Sequence, residues 1–194
     1  MNLTLSIATA FAPDAVESAA TEEKHIIRTQ RLHMRPIDYP DLDEYVALLS
    51  DPEVMKFIGL DTGKVLDRFE IMQMIDRAVE AWANRGWGRW SIFDHHGEFI
   101  GFCGFRKEED MPEILALIHQ RFWDQNITTE AAFACIEYGR KVFGFGEIKA
   151  FAHPENLRSH RLLDKLGAIY EGDFDFHGIV GSKYTLPQVA RASV

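Results

Sequence analysis

Apolar and polar positions change period several times along this 194-residue chain, and each change predicts an element. Ile26 to Arg35 alternates weakly, which predicts a strand ended by Pro36. Asp38 is placed to cap a helix running through Leu49, with Leu42, Tyr45, Val46 and Leu49 on one face, and Asp51-Pro52 stops it. A second helix, over about Leu66 to Asn84, puts Phe69, Met72, Ile75, Val79 and Trp82 on a common stripe.

The segment GRWSIFDHHGEFIGFCGFRKE reads as two strands joined by His95-His96-Gly97, with the glycine where a tight turn can use one. From Met111 to Gly167 the pattern is an apolar strand, EILALI, then a polar loop, a long helix, a second strand and a short helix. Asn156 opens that short helix as a good N-cap, and Gly167 closes it, being able to take the left-handed turn a helix end favours. Hairpin strands followed by strands with crossover helices imply a mixed sheet with helices on both faces.

Composition narrows the picture. The length suits one domain with a core large enough to need neither metal nor disulfide. We expect that domain over residues 25–187, an N-terminal extension over 1–24 and a short tail over 188–194. Cys103 and Cys135 offer no disulfide framework and no metal-ligand spacing, and small buried side chains are expected there. The histidine pair in the turn has no other ligand at supporting spacing, so no metal is expected. A formal charge of −9 disfavours sequence-independent binding to nucleic acid or an anionic membrane and favours approach by cationic amines. No apolar run approaches the roughly 20 residues a bilayer needs. The first positive charge is Lys24, so the start lacks the basic region of a secretory leader, and the cytoplasm is the expected compartment.

The loop from Arg121 to Thr129 lies between a strand and a helix, where backbone N–H groups are free at a positive helix end. An anion is the natural guest. In the short helix, Arg158, Arg161 and Lys165 fall at i, i+3 and i+7 and form a basic stripe beside the same crevice. A polyphosphate suits this arrangement.

The order strand, WDQNITTEA, a helix ending in VFG, strand, HPENLRSHRLLDKLGA resembles the GNAT superfamily of acyl-CoA-dependent N-acetyltransferases, in particular its ribosomal-protein N-terminal acetyltransferase branch. IIRTQRLHMRPIDYPDLDEYVALLSDPEVMKFIG resembles that branch's opening strand and first helix, and GIVGSKYTLP its last strand. The resemblance implies an α/β fold with a mixed, mostly antiparallel sheet of six to seven strands and helices on both faces. It implies acetyl-CoA as cosubstrate and a primary amine, on a protein N-terminus or a small molecule, as acceptor. Related enzymes often pair through sheet edges or helices, which admits a homodimer.

Direct transfer requires that the amine lose a proton, that the carbonyl oxygen be held as charge develops, and that a thiolate leave. By the resemblance, Glu113 faces the acceptor as general base; a solvated strand-end carboxylate is the plain alternative. His119, at the other end of the same strand, has a suitable ordinary pKa but stands beside the phosphate loop. The resemblance puts Leu117 and Ile118, next to Ala116, where the strand leaves its neighbour and frees backbone N–H groups for the cofactor. Many superfamily members present a tyrosine to the thiolate, and the matching position here is Leu163. Ser159 is the remaining hydroxyl, and a residue of that type is equally at home in a cap region. Cofactor contacts are expected from Arg121, Gln125, Asn126, Ile127, Thr128, Thr129, Asn156, Arg158 and Lys165.

Two positions depart from the family run, which has glycine after the tryptophan and again two residues later. Here they are Asp124 and Asn126. Asparagine visits the left-handed region readily, whereas a carboxylate near a pyrophosphate repels it unless it turns outward. These departures, with Leu163, keep open a fold retained for acyl-CoA binding or interaction without catalysis. The acceptor walls are expected from Phe57 to Lys64 and from Asp173 to Gly181, where Asp61, Asp173, Asp175 and His177 are either cation receivers or a solvated acidic loop.

Overall fold

A computed structural model describes residues 24–59, 63–176 and 179–188. Asp61 and His177, most of the expected N-terminal extension and nearly all of the tail lie outside the described residues.

Among the described residues eight strands form one sheet: β1 (Ile27–Arg28), β2 (Leu32–Pro36), β3 (Arg89–Asp94), β4 (Phe99–Glu108), β5 (Met111–Ile118), β6 (Ile148–Ala152), β7 (Ile169–Phe176) and β8 (Ile179–Leu186). Their order is β1-β2-β3-β4-β5-β6-β8-β7. Every neighbouring pair is antiparallel except β5 and β6, which are parallel because a crossover helix joins them. The sheet exceeds the expected six to seven strands. One reason is that the expected first strand is two: the Thr29 amide bonds to the Leu32 carbonyl and folds the chain back, so that Ile27 pairs with Met34.

Among the described residues five α-helices pack with the sheet: α1 (Leu42–Leu49), α2 (Pro52–Met55), α3 (Arg68–Arg85), α4 (Ile127–Val142) and α5 (Leu157–Lys165). One core cluster joins Tyr45, Leu48, Ile71 and Ile75 of α1 and α3 to Phe99 and Phe102 of β4. The other joins Ala131, Cys135 and Ile136 of α4 to Trp90, Phe105 and Ile148. The stripe expected on α3 is rotated. Ile71, Met74, Ile75, Ala78, Ala81 and Trp82 are buried, while Phe69 is 62% and Met72 39% exposed. The capping box of Asp67 and Glu70 starts this helix two residues later than expected, and its first apolar residue falls on the outer face.

A buried polar chain fastens α1 to the sheet. Arg35 donates from both terminal nitrogens to the Asp41 carboxylate; Ser91 Oγ donates to Asp41 over 2.7 Å and lies 3.0 Å from the Tyr45 hydroxyl. Burial pushes the Tyr45 hydroxyl far above its ordinary pKa. Cys103 and Cys135 are buried and face each other, and burial pushes the Cys135 thiol up. The histidine turn has Gly97 at φ +85°, and His95 bonds to the Gln30 carbonyl. Among the described residues no cluster of histidine, cysteine and acidic side chains could hold a metal, and no helix is long and apolar enough to cross a membrane.

Candidate active site

Strands β5 and β6 register at one pair only, Glu113 with Lys149. Beyond it they diverge, because β6 continues in pairing with β8 while β5 stays with β4 through Ile118. The wedge between them opens into two adjoining cavities that share Phe57, Ile58, Ala116, Asn156, Ser159 and Leu162.

The first cavity, of about 230 Å³, lies over the start of α4. Its floor includes Ala116, Leu117 and Ile118, and its wall includes Asn126, Ile127, Thr128 and Thr129. The helix starts of α3 and α5 are closed by their own side chains, Asp67 with Glu70 and Asn156 on the Ser159 amide. No side chain caps α4: Asn126 turns its oxygen to Lys165 Nζ, 2.7 Å away. The first-turn amides of a 16-residue helix therefore face a cavity whose walls carry Lys56, Arg158, Arg161 and Lys165 against Glu53 and Asp124. Excess positive charge and open amides at a helix N-terminus are what a polyphosphate requires.

The loop achieves this without glycine. Asp124 sits at φ +60° and Asn126 at φ +59°, so the left-handed backbone is retained with side chains attached. The Asp124 carboxylate is 72% exposed and 3.8 Å from Arg158 Nε, turned toward a cation at the mouth. The Arg158 guanidinium also lies 4.2 Å over the Trp123 ring.

Not every expected contact lines the cavity. Arg121 pairs with Glu98 at 2.9 Å and lies over Phe122; Gln125 turns its amide back to the Arg121 carbonyl. His119 is buried beside Phe99 and lines neither cavity; burial, then Arg121, hold its imidazole below the ordinary value.

Sequence reasoning missed the brace behind this loop. Arg31 Nε donates to Glu130 at 2.6 Å, Arg31 Nη1 donates to the Gln125 carbonyl at 2.9 Å, and the Thr29 hydroxyl donates to the same Glu130. The segment TQRL thus bonds to NITTE about a hundred residues later. Two short motifs, each noted separately, carried the signal, but nothing in either showed that they meet.

The second cavity, of about 540 Å³, continues past the wedge. Glu113 lies in it at 4% exposure, with Arg106 Nε donating to its carboxylate at 2.6 Å. It is no solvated strand-end group. Burial pushes the Glu113 carboxyl above its ordinary range, while Arg106 pulls it back down. Ser159 stands at the junction of the cavities, and buried Leu163 lines the second. The two expected acceptor walls meet here, through Phe57 to Gly59 on one side and Phe174, Val180 and Gly181 on the other. Asp173 is engaged elsewhere, accepting from Tyr170 and Ser182.

Comparisons with known proteins bear on the family and the fold. Residues 31–169 match the acetyltransferase (GNAT) domain family. An uncharacterized N-acetyltransferase p20 of Bacillus licheniformis is 33% identical over 150 residues, 74% of this chain and 82% of its own. A GNAT-family acetyltransferase from Bacillus anthracis superposes with a TM-score of 0.72 at 23% identity, over 84% of this chain and 98% of that one. The ribosomal L7/L12 acetyltransferase RimL, solved with coenzyme A, superposes at 0.74 with 16% identity, over 84% of this chain and 98% of its own. At such identity these two structures speak for the fold. The chain belongs to the GNAT acetyltransferase family.

Proposed function

We propose that this chain transfers an acetyl group from acetyl-CoA to a primary amine by direct attack. The observation that carries this reading is the uncapped, cation-lined start of α4, opening through the β5–β6 wedge onto a buried carboxylate. When bound, acetyl-CoA supplies an acyl carbon activated by its thioester and a thiolate that can leave. The amides of Ile127, Thr128 and Thr129, with Arg158 and Lys165, would hold its phosphates, and Asn156 would hold its arm.

In this reading Glu113 takes the proton from the amine as nitrogen bonds to the acyl carbon, either directly or through a water. Backbone N–H groups on the β5 edge near Leu117 and Ile118 stabilise the oxygen as charge develops. Ser159, at the junction of the cavities, donates a hydrogen bond to the sulfur as the carbon–sulfur bond breaks and the thiolate leaves, while the amine's proton stays on Glu113. The Arg106 ion pair opposes the upward push of burial on the Glu113 carboxyl and so favours the ionised form a base needs.

A second reading, an acyl-CoA-binding module without turnover, is favoured by one observation: an apolar, buried Leu163 stands where many superfamily members present a tyrosine. Titration with acetyl-CoA, followed by thiol release over a panel of amines, separates the two. Binding with turnover supports the transferase; binding without turnover on any amine supports the module. No binding at millimolar acetyl-CoA overturns both.

A further inference from the structure

The far cavity has a character that narrows its guest. Phe57 stacks on His153 with ring centres 5.1 Å apart, and Phe151 meets Phe174 edge to face at 5.0 Å. Phe174 is held where it is: it pairs across the strands with Gly181, and a Cβ on Gly181 would fall 2.6 Å from its ring. Among the described residues the same cavity is lined by three charged groups, Arg106, Glu108 and Glu113. Arg106 Nε is 2.6 Å from Glu113 and 3.9 Å from Glu108, so one guanidinium serves two carboxylates and one negative charge is left over.

We propose, resting on the transferase reading, that the acceptor is a monoamine on an aromatic body: its ammonium goes to the carboxylate pair and its ring to Phe57, Phe151 and Phe174. Aromatic faces attract cations within about 6 Å and pack against other rings edge to face. Other acceptor classes fit less well. A polyamine needs several unpaired carboxylates, whereas this wall has a surplus of one. An amino acid brings its own carboxylate, and the guanidinium that would receive it is already shared between Glu108 and Glu113. A peptide terminus brings several amides and carbonyls that need polar partners, and His153 is the one polar side chain beside the described rings.

The test uses the purified full chain with 2-phenylethylamine, spermidine, phenylalanine and an alanine-initiated peptide. Calorimetry measures amine binding with and without acetyl-CoA, and thiol release measures turnover. We expect 2-phenylethylamine to bind and to show a kcat/KM at least tenfold above the other three. Phe174→Ala and, independently, Gly181→Ala should raise its KM at least fivefold while leaving the acetyl-CoA Kd unchanged. The ranking of acceptors is read on the unmodified protein and does not depend on either variant folding. A preference for spermidine, phenylalanine or the peptide overturns the inference, as does absence of 2-phenylethylamine binding. If the amine binds through Phe174 while acetyl-CoA does not bind at all, the transferase reading fails and the assignment of the cavity stands.

Discussion

Lys165 Nζ donates to the side-chain oxygen of Asn126 over 2.7 Å, joining the last turn of α5 to the residue that opens α4. That bond turns the Asn126 side chain away from its own helix and keeps a cation beside the open amides. Lys165→Ala releases the Asn126 side chain and removes one positive charge from the cavity wall. Acetyl-CoA affinity should fall about tenfold, close to 1.4 kcal/mol, in calorimetry, and fall further as salt is added.

Asp124 pairs a carboxylate with a left-handed backbone, and glycine removes both burdens. A non-glycine residue at such a φ carries roughly 1 kcal/mol of strain. Because Asp124 is mostly exposed, its repulsion of a phosphate is screened. Asp124→Gly should tighten acetyl-CoA binding about three- to tenfold at low salt, with the gain shrinking at high salt. Unchanged affinity at both ionic strengths would remove Asp124 from the account of cofactor binding.

Arg31→Ala breaks the brace behind the phosphate loop without touching either cavity. We expect the KM for acetyl-CoA to rise several-fold with kcat nearly constant, and faster hydrogen exchange at Gln125 to Thr129. Burial raises the Glu130 carboxyl, but the bonds from Thr29 and Arg31 outweigh it and leave the group below its ordinary value. Its contribution to stability is present above the unfolded carboxylate pKa and lost as pH falls through the folded one. The wild-type loop should therefore hold to lower pH than the Arg31→Ala loop.

Glu113 must be ionised to accept a proton, so the acid limb of kcat/KM is expected above the ordinary carboxylate range. Arg106→Gln removes the group that pulls the pKa down and should move that limb to higher pH. Glu113→Gln should lower kcat by about 10²- to 10⁴-fold with little change in acetyl-CoA affinity. A carboxyl raised on folding favours the native state below its unfolded pKa and loses that contribution as pH rises through the folded value. Glutamine resembles the protonated form, so above neutral pH the variant should melt no lower than wild type. Full activity in Glu113→Gln would exclude this residue as the base.

Asp41 is buried with Arg35 as its one cationic partner among the bonds described. Arg35→Ala leaves that carboxylate uncompensated beneath α1, and a loss of about 3–5 kcal/mol is expected in urea unfolding. Arg35→Lys restores a charge but not the two-pronged geometry and should recover only part of it.

The strand and helix order was legible because local periodicity and caps are local physics. Asn156 and Gly167 bound α5 as their chemistry requires, and the turn at Gly97 formed where the hairpin needed it. The site was legible in part. Helix spacing alone placed Arg158, Arg161 and Lys165 together, and the strand–loop–helix order alone pointed to an anion at the loop Arg121 to Thr129, of which Arg121 and Gln125 do not line the cavity.

Contacts between distant segments decided the rest. Period alone did not show which face of α3 would be inward, since an amphipathic stripe fixes a face only against a partner. Arg121 went to Glu98, across a gap of more than twenty residues, and so left the cavity. Most telling is Glu113, which as a sequence position is a carboxylate at a strand end. The divergence of β5 from β6 buries it, and Arg106 on β4 reaches it, because neighbouring strands set the burial and pairing of a side chain that its own segment leaves open. Sequence determined which chemical groups the chain possesses and the elements that carry them; the sheet decided which of those groups meet, in what dielectric, and beside which charge.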